Sequence, residues 1–229
     1  MKKQALTIAG VAVCVILVVG ALVGVLSMQP AETTTTTTAQ PSQPSNPPAG
    51  GAMTKAQWEA MINKSNFDNY TLTENQIMKG DYLPGGIQKV GAVFRVASGN
   101  VEIDTYQDDV LIGTKKFTGA EAVEQKEVSF EVFYPILGDF DKLNYNTDLG
   151  CYTNIETITT EVTTEQMGLE VKVVLVIENI KIWVSNNRIV SAAYNGSHTT
   201  TVTGMPSATA TATIDGTWEF TNYGTTVID

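Results

Sequence analysis

The hydrophobic pattern divides the chain into three regions. Residues 1-28 contain an uncharged apolar run from Ala5 to Met28, residues 29-52 form a tract of Thr, Pro and Gly without large apolar side chains, and residues 53-229 largely alternate between apolar and polar positions. At a rise of about 1.5 Å per residue, the run would form a helix of roughly 36 Å, which crosses a hydrocarbon core of about 30 Å. The pattern predicts an N-terminal transmembrane anchor or signal segment (1-28), a disordered linker (29-52) and an extracytoplasmic domain (53-229).

The charges around the apolar run set its orientation. Lys2 and Lys3 precede the run, and the first acidic residue, Glu32, follows it. The positive-inside rule places the short N-terminus in the cytoplasm, so the domain should lie on the extracellular side of the cell membrane, held by a single-pass helix. A cleaved secretory signal is the alternative, and it would export the domain as well. Cys14 follows Val13 rather than the small residue that an acylation site needs, so we expect it to be a buried hydrophobe.

A short helix should open the folded part. Trp58, Met61 and Ile62 share one face at helical spacing. Thr54 can cap the first turn, and Gln57 stands at the capping-box position. We therefore expect an N-terminal helix whose apolar face covers part of the sheet that follows.

After this helix the period of the pattern changes to two, which predicts an antiparallel sheet. Three strands should run within residues 90–117, with a turn at residues 98–100, and residues 152–223 should be almost entirely strand. The asparagine pair at 186–187 should close a hairpin because asparagine tolerates positive φ. Residues 121–143 fit either a helix or a strand, and we favour a short helix.

Few side chains could carry catalysis. His198 is the single histidine, and without a nucleophile-elbow pattern we expect it to be an exposed strand residue. Glu102 and Asp104 share a strand face and could form a carboxylate pair for glycoside hydrolysis. The nearby Asp108 and Asp109 favour a solvated acidic edge instead. We therefore expect no enzyme, no catalytic residue and no cofactor.

The charge and the remaining ligand-type residues narrow the partners. The chain has 24 acidic residues against 14 basic ones, a balance that argues against binding to nucleic acid. Asp139 begins an oxygen-rich segment, but Leu143 and Asn144 stand where an EF-hand loop needs an acidic residue and a glycine, so no metal site is predicted. Cys151 is the only thiol in the exported part, which excludes an intramolecular disulfide there.

One strand has an unusual composition. Alanine alternates with threonine at residues 208–213, before Trp218 and Phe220. If the alanine face points inward, it contributes little volume to the core. Either the Trp58 helix covers it closely, or an apolar pocket remains. The candidate ligand-binding residues are therefore Ala210, Ala212, Trp218 and Phe220.

Several short segments together resemble a known family. They are Trp58 with residues 66–73 (NFDNYTLT), residues 143–146 (LNYN) with Gly150 and Tyr152, and residues 223–226 (YGTT). In these segments the chain resembles exported surface proteins and lipoproteins of Gram-positive-type bacteria with a lipoprotein-carrier-like (LolA/LppX-like) fold. The resemblance implies an α+β fold, a curved antiparallel sheet (half-barrel) with one or two helices packed on it, and an apolar concave face able to hold an acyl chain.

Two functions are compatible with these features. The first is a membrane-anchored extracytoplasmic binding domain that holds a lipid or other apolar ligand in the concave face of the sheet. The alternative is a surface structural or interaction protein without a small-molecule ligand, whose threonine-rich strands meet a partner or an envelope polymer. In both, the N-terminal helix makes the membrane a partner of the chain.

Overall fold

The computed structural model describes residues 51–81, 83–123, 125–126, 137–166, 169–203 and 209–228. The predicted anchor and most of the predicted linker (residues 1–50) lie outside them. Among the described residues, no helix has both the length and the apolar character needed to cross a membrane. The elements, in chain order, are α1 (Lys55–Met61), β1 (Tyr70–Lys79), β2 (Ile87–Ala97), β3 (Asn100–Gln107), β4 (Val110–Phe117), β5 (Leu143–Asn146), β6 (Cys151–Asn154), β7 (Ile158–Gln166), β8 (Leu169–Ser185), β9 (Arg188–Val202) and β10 (Thr209–Thr221).

Within the described residues, these ten strands form one open, curved antiparallel sheet. Its strand order is β4-β3-β2-β1-β10-β9-β8-β6-β5, and β7 pairs with β8. The long strand β8 pairs with β9 along one edge and with β7 and then β6 along the other. The expectation of a curved antiparallel sheet with few helices is confirmed.

Alternation along the strands gives the sheet a buried inner face and a more exposed outer face. On β2, every second residue from Gln88 to Val96 is buried, and most of these are the apolar residues that the sequence pattern placed together. On β10 the even-numbered residues from Ala210 to Phe220 are buried and the odd-numbered ones are largely exposed. The alanine face of β10 therefore points inward.

Helix α1 closes one side of the core. Its predicted capping box is present, because Gln57 donates its backbone N–H to Thr54 Oγ1 and accepts the Thr54 backbone N–H. Trp58 is fully buried, donates Nε1–H to the Leu137 carbonyl over 2.7 Å, and packs against Tyr152 with 4.7 Å between ring centroids. Because Tyr152 belongs to β6, this ring contact lies three strands away from the alanines of β10.

Short polar turns connect the strands as the sequence predicted. The β8–β9 hairpin turns at Asn186 and Asn187, with φ of 52° and 54°, and the β2–β3 hairpin turns at Ser98 and Gly99, with φ of 49° and 78°. In the ambiguous segment 121–143, residues 121–123 and 125–126 are helical, and Phe140–Lys142 form a turn of 3₁₀-helix. The middle of that segment, residues 127–136, lies outside the described residues.

Candidate functional site

The candidate site is the inner face of the sheet where β1, β10 and β9 run side by side. Strand register places inner residues of these strands in rows that cross the sheet. Glu74 lies opposite Trp218 and, one row further, Gln76 lies opposite Gly216, which lies opposite Tyr194. We call Glu74, Gln76, Tyr194 and Trp218 the polar cluster.

The polar cluster is centred on one carboxylate oxygen. Glu74 is 5% exposed, and its Oε1 accepts hydrogen bonds from Gln76 Nε2 over 2.7 Å and from Trp218 Nε1 over 3.1 Å. The Tyr194 hydroxyl donates to the same oxygen over 3.4 Å and accepts from Gln76 Nε2 over 2.9 Å. A buried carboxylate needs such donors because burial without them is costly.

A glycine makes the cluster possible. Tyr194 crosses over Gly216, since a Cβ added at Gly216 would lie 2.2 Å from Tyr194 Cζ. Only a residue without a side chain leaves room there for the ring to reach from β9 across β10 to Gln76 on β1. The ring is further fixed by Trp218, with 5.1 Å between the two centroids.

Beyond the polar cluster, the inner face carries small side chains. Going away from the cluster, the rows across β10 and β9 are Ile214 with Gly196, Ala212 with His198, and Ala210 with Thr200. All six residues are buried. We call the set Gly196, His198, Thr200, Ala210 and Ala212 the small-residue end.

His198 is buried, so the expectation of an exposed strand histidine was wrong. It is 3% exposed, because its strand position faces inward opposite Ala212. Its Nε2 lies 3.1 Å from Thr200 Oγ1, whereas Nδ1 has no hydrogen-bond partner among the described residues. Burial lowers the pKa of His198 to about 4, so the imidazole is neutral at physiological pH and can offer Nδ1 as a donor or an acceptor.

A second inner-face side chain has an unused polar atom. Gln88 is 4% exposed, and its Oε1 has no hydrogen-bond partner among the described residues. Gln88 lies opposite Met78, and Met78 lies opposite Ile214, in the row next to His198. The two buried polar atoms therefore lie on opposite sides of β10, with His198 on β9 opposite Ala212 and Gln88 on β2 beyond Met78.

The four predicted ligand-binding residues are all buried, but they belong to different surroundings. Ala210 and Ala212 lie in the small-residue end, and Trp218 lies in the polar cluster. Phe220 belongs to an aromatic group with Phe67, Tyr70 and Tyr223, with 5.9–6.3 Å between its ring centroid and theirs. Since Ala212 and Phe220 are eight residues apart on one strand, about 27 Å separates them along β10.

Glu102 and Asp104 lie on the outer face, not on a solvated acidic edge. Arg95 Nη1 contacts Glu102 Oε1 at 2.8 Å and Asp104 Oδ2 at 2.6 Å. Thr114 donates its hydroxyl to Asp104 Oδ1 over 2.6 Å. Burial opposes ionisation of Asp104, but the hydrogen bonds from Thr114 and Arg95 outweigh it and lower its pKa. Both carboxylates therefore serve an ion-pair network that holds β2, β3 and β4 together.

Part of the oxygen-rich segment forms a turn stabilised by a side chain. Asn146 Oδ1 accepts the backbone N–H groups of Asp148 and Leu149, each over 3.0 Å. Among the described residues, no group of three or more His, Cys, Asp or Glu side chains is arranged to hold a metal ion. Cys151 is a buried free thiol on β6.

The chain matches no protein-family model and no curated protein. Among solved structures, it is similar to a LolA superfamily protein from Nitrosomonas europaea, with 9% sequence identity and a TM-score of 0.20 over 73% of this chain and 94% of that chain. A similarity of this strength does not assign a function to the chain.

The polar cluster and the small-residue end differ in how well the sequence predicts them. The alternation of Ala and Thr along β10 indicated the small-residue end. Glu74 and Gln76 of the polar cluster were missed because they interrupt an apolar alternation that begins at Tyr70 and Leu72. Glycine at 216, in a strand otherwise rich in β-branched residues, is the one sequence signal of the close approach.

We expect the buried histidine to make stability depend on pH. The pKa of His198 is about 4 in the folded chain against 6.5 for an unperturbed histidine. The unfolded chain therefore binds the proton first as the pH falls, so the stabilisation is complete above pH 6.5 and is lost between about pH 6.5 and 4. The loss should reach about 3 kcal/mol.

Two measurements check this expectation. Because the chain has one histidine, its imidazole resonance can be followed by NMR without assignment, and it should titrate near pH 4 in the folded chain and near 6.5 in urea. In urea denaturation, His198→Gln should flatten the dependence of the unfolding free energy on pH in this window. A folded-state titration near pH 6.5 would contradict the burial of His198.

Proposed function

We propose that the chain is a membrane-tethered extracytoplasmic binding domain that holds a lipid or another apolar ligand against the inner face of its sheet. The observation that carries the proposal is the small-residue end. There, Gly196, Ala210 and Ala212 are buried beside His198, whose Nδ1 has no hydrogen-bond partner among the described residues. Gln88, whose Oε1 also has none among them, lies two strands from β10, on β2.

The small side chains of this end leave space above the sheet. Glycine and alanine fill little of the space above a sheet, yet protein interiors reach the packing density of organic crystals. Other parts of the chain already cover these residues, since all of them are buried within it. Leu175 and Val173, which lie opposite His198 and Thr200 on β8, add apolar side chains to the same part of the inner face and are themselves only partly buried. An apolar ligand lying across β10 would take the place of part of this cover.

The polar atoms suggest how such a ligand would be oriented. An unsatisfied polar atom in an apolar interior costs free energy, and a ligand hydroxyl or carboxyl group would remove that cost. Among the described residues of the inner face, His198 Nδ1 and Gln88 Oε1 are atoms of this kind. The ligand is therefore proposed to be amphipathic, with its polar end beside one of these side chains and its apolar part over Ala210 and Ala212.

The proposal includes a membrane tether and no enzymatic activity. The tether is the apolar run from Ala5 to Met28, with the positive charges before it on the cytoplasmic side.

The threonine-rich outer face does not favour a partner-binding surface over a ligand site. Thr199 and Thr211 pair their hydroxyl groups at 3.0 Å, and Thr201 and Thr209 do so at 3.4 Å, so these groups stabilise the sheet itself.

Native mass spectrometry of the full-length chain, extracted from its host membrane in mild detergent, tests the proposal. We expect the chain to pellet with membranes, to require detergent for release, and to carry an apolar small molecule that dissociates at raised collision energy. Ala212→Phe should abolish the bound species, whereas Thr211→Phe, one residue away on the exposed outer face, should retain it.

The same two variants distinguish a ligand site from a solid core. If a ligand covers Ala212, the phenylalanine takes its place, and the unfolding free energy of the ligand-free chain should change little. If protein side chains fill the space, overpacking should cost about 1–3 kcal/mol and no small molecule should be present in the parent chain. That second result would refute the binding function.

A further inference from the structure

A groove of about 300 Å³ lies on the outer face of the sheet, opposite to the polar cluster. Its lining includes Thr73, Asn75, Lys89, Gly91, Tyr106 and Asp109. We call it the outer groove. It runs along β1 and β2 from the row of Thr73 and Val93 to the row of Ile77 and Lys89, a length of about 14 Å at the rise of a strand.

The floor of the outer groove is backbone. Gly91 lies between Asn75 on β1 and Tyr106 on β3, in one row across three strands. A Cβ added at Gly91 would lie 3.1 Å from Asn75 Oδ1 and 3.7 Å from Tyr106 Cβ. Glycine inside a strand weakens it, and it commonly marks a place where a ligand or another group approaches the backbone closely.

The walls combine one aromatic ring with neutral hydrogen-bonding groups. Tyr106 is partly exposed on one side, and the Asn75 amide and the Thr73 hydroxyl are on the other. The charged residues at one end are paired, since Lys89 Nζ lies 3.2 Å from Asp109 Oδ2. The described lining residues therefore offer no unpaired charge at that end to a charged ligand.

We infer that the outer groove binds a neutral oligosaccharide. A sugar ring presents an apolar C–H face that packs on an aromatic side chain, and its hydroxyl groups exchange hydrogen bonds with amides and hydroxyls. A volume of about 300 Å³ is at the lower limit for small-molecule sites. The outer groove would therefore hold one sugar ring, and the adjoining sugar rings would contact its rim. This inference does not depend on the proposed ligand of the inner face, because the two sites lie on opposite faces of the sheet.

NMR titration of the ¹⁵N-labelled full-length chain with maltotriose, cellotriose and the trimer of N-acetylglucosamine tests the inference. We expect at least one of these sugars to shift the backbone amide resonances of Asn75, Gly91 and Tyr106. Tyr106→Ala should weaken the binding at least about tenfold, by loss of the aromatic wall. Gly91→Val should abolish it by filling the floor.

Gly113 supplies the matched control. It is also a strand glycine, on β4, but a Cβ added there meets nothing within 4 Å. Gly113→Val should therefore retain binding and confirm that Gly91→Val acts through the groove. If none of the three sugars shifts these resonances, or if the shifts persist unchanged in Tyr106→Ala, the outer groove is not an oligosaccharide site.

Discussion

Gly196→Ala should prevent the chain from folding or lower its unfolding free energy by more than about 4 kcal/mol. A Cβ added at Gly196 would lie 1.9 Å from the backbone oxygen of Val176 and 2.9 Å from its carbonyl carbon. Because these atoms belong to a neighbouring strand, they cannot turn aside as the end of a long side chain could. The methyl group would instead force β8 and β9 apart.

The irregular pairing of β8 explains why the strands come so close. Its register with β9 shifts between Ile177 and Asn179, and Gly196 lies opposite Ile177, at the edge of that bulge. A bulge bends its strand and increases the local twist. At this point the bend brings the β8 backbone over the position that any side chain at 196 would occupy.

Urea denaturation followed by circular dichroism measures the cost, with Gly113→Ala as the control. Alanine at 113 adds the same methyl group to a strand glycine with open space around it, so the unfolding free energy should change by less than about 0.5 kcal/mol. A comparably small cost at 196 would mean that β8 and β9 are further apart than the bulge places them.

Elements specified by local chemistry were predictable from the sequence. The capping box of α1 needs only Thr54 and Gln57, and the β8–β9 hairpin needs only two residues that accept positive φ. The strands β2 and β3 were predictable because each keeps most of its apolar residues on one face. In each case, the residues that decide the structure are close together in the chain.

Features that depend on distant pairing were not predictable. Strand β1 contains Thr, Glu, Asn and Gln at residues 73–76, a composition more typical of a loop than of the middle of a sheet. It is a central strand because Glu74 and Gln76 find donors and acceptors on β9 and β10, more than 100 residues away. The burial of His198 likewise follows from register with Ala212, which the local Ser-His-Thr sequence does not reveal.

The candidate site likewise combines residues that the local sequence predicted with residues that only the fold brings together. The inward alanine face followed from alternation within β10, so Ala210 and Ala212 were found together. Their neighbours Gly196 and His198 come from β9, and Gln88 comes from β2, so only the sheet brings them to one place. The separation of Phe220 from these residues also depends on the fold, since Phe67 and Tyr70 surround it.

The position of Glu74 gives the polar cluster a role in organising this inner face. The cluster lies between the aromatic group around Phe220 and the small-residue end, and its hydrogen bonds join β1, β9 and β10. A fully bonded polar group in a core can fix strand register, because a slip of one residue would move Glu74 to the outer face. The cluster thereby holds His198 and the alanines in their rows.

Glu74→Ala should accordingly lower the unfolding free energy by about 3–5 kcal/mol. The substitution removes the Glu74 acceptor of the buried Trp218 indole N–H and one of the two acceptors of the partly buried Gln76 amide, which keeps the Tyr194 hydroxyl. Urea denaturation measures the loss. The fluorescence of Trp218 should change as well, since its indole loses its hydrogen bond.

Glu74→Gln is the matched control for this prediction. Glutamine has the same length, and its Oε1 can accept the bonds from Trp218 and Gln76 that the carboxylate oxygen accepts. The loss should therefore remain below about 1.5 kcal/mol, since these two bonds persist while the charge is removed and the second carboxylate oxygen becomes an amide NH2 group. If the two variants lose equal stability, the charge rather than the hydrogen-bonded oxygen holds the cluster. If neither loses stability, Glu74 does not fix the register of the inner face.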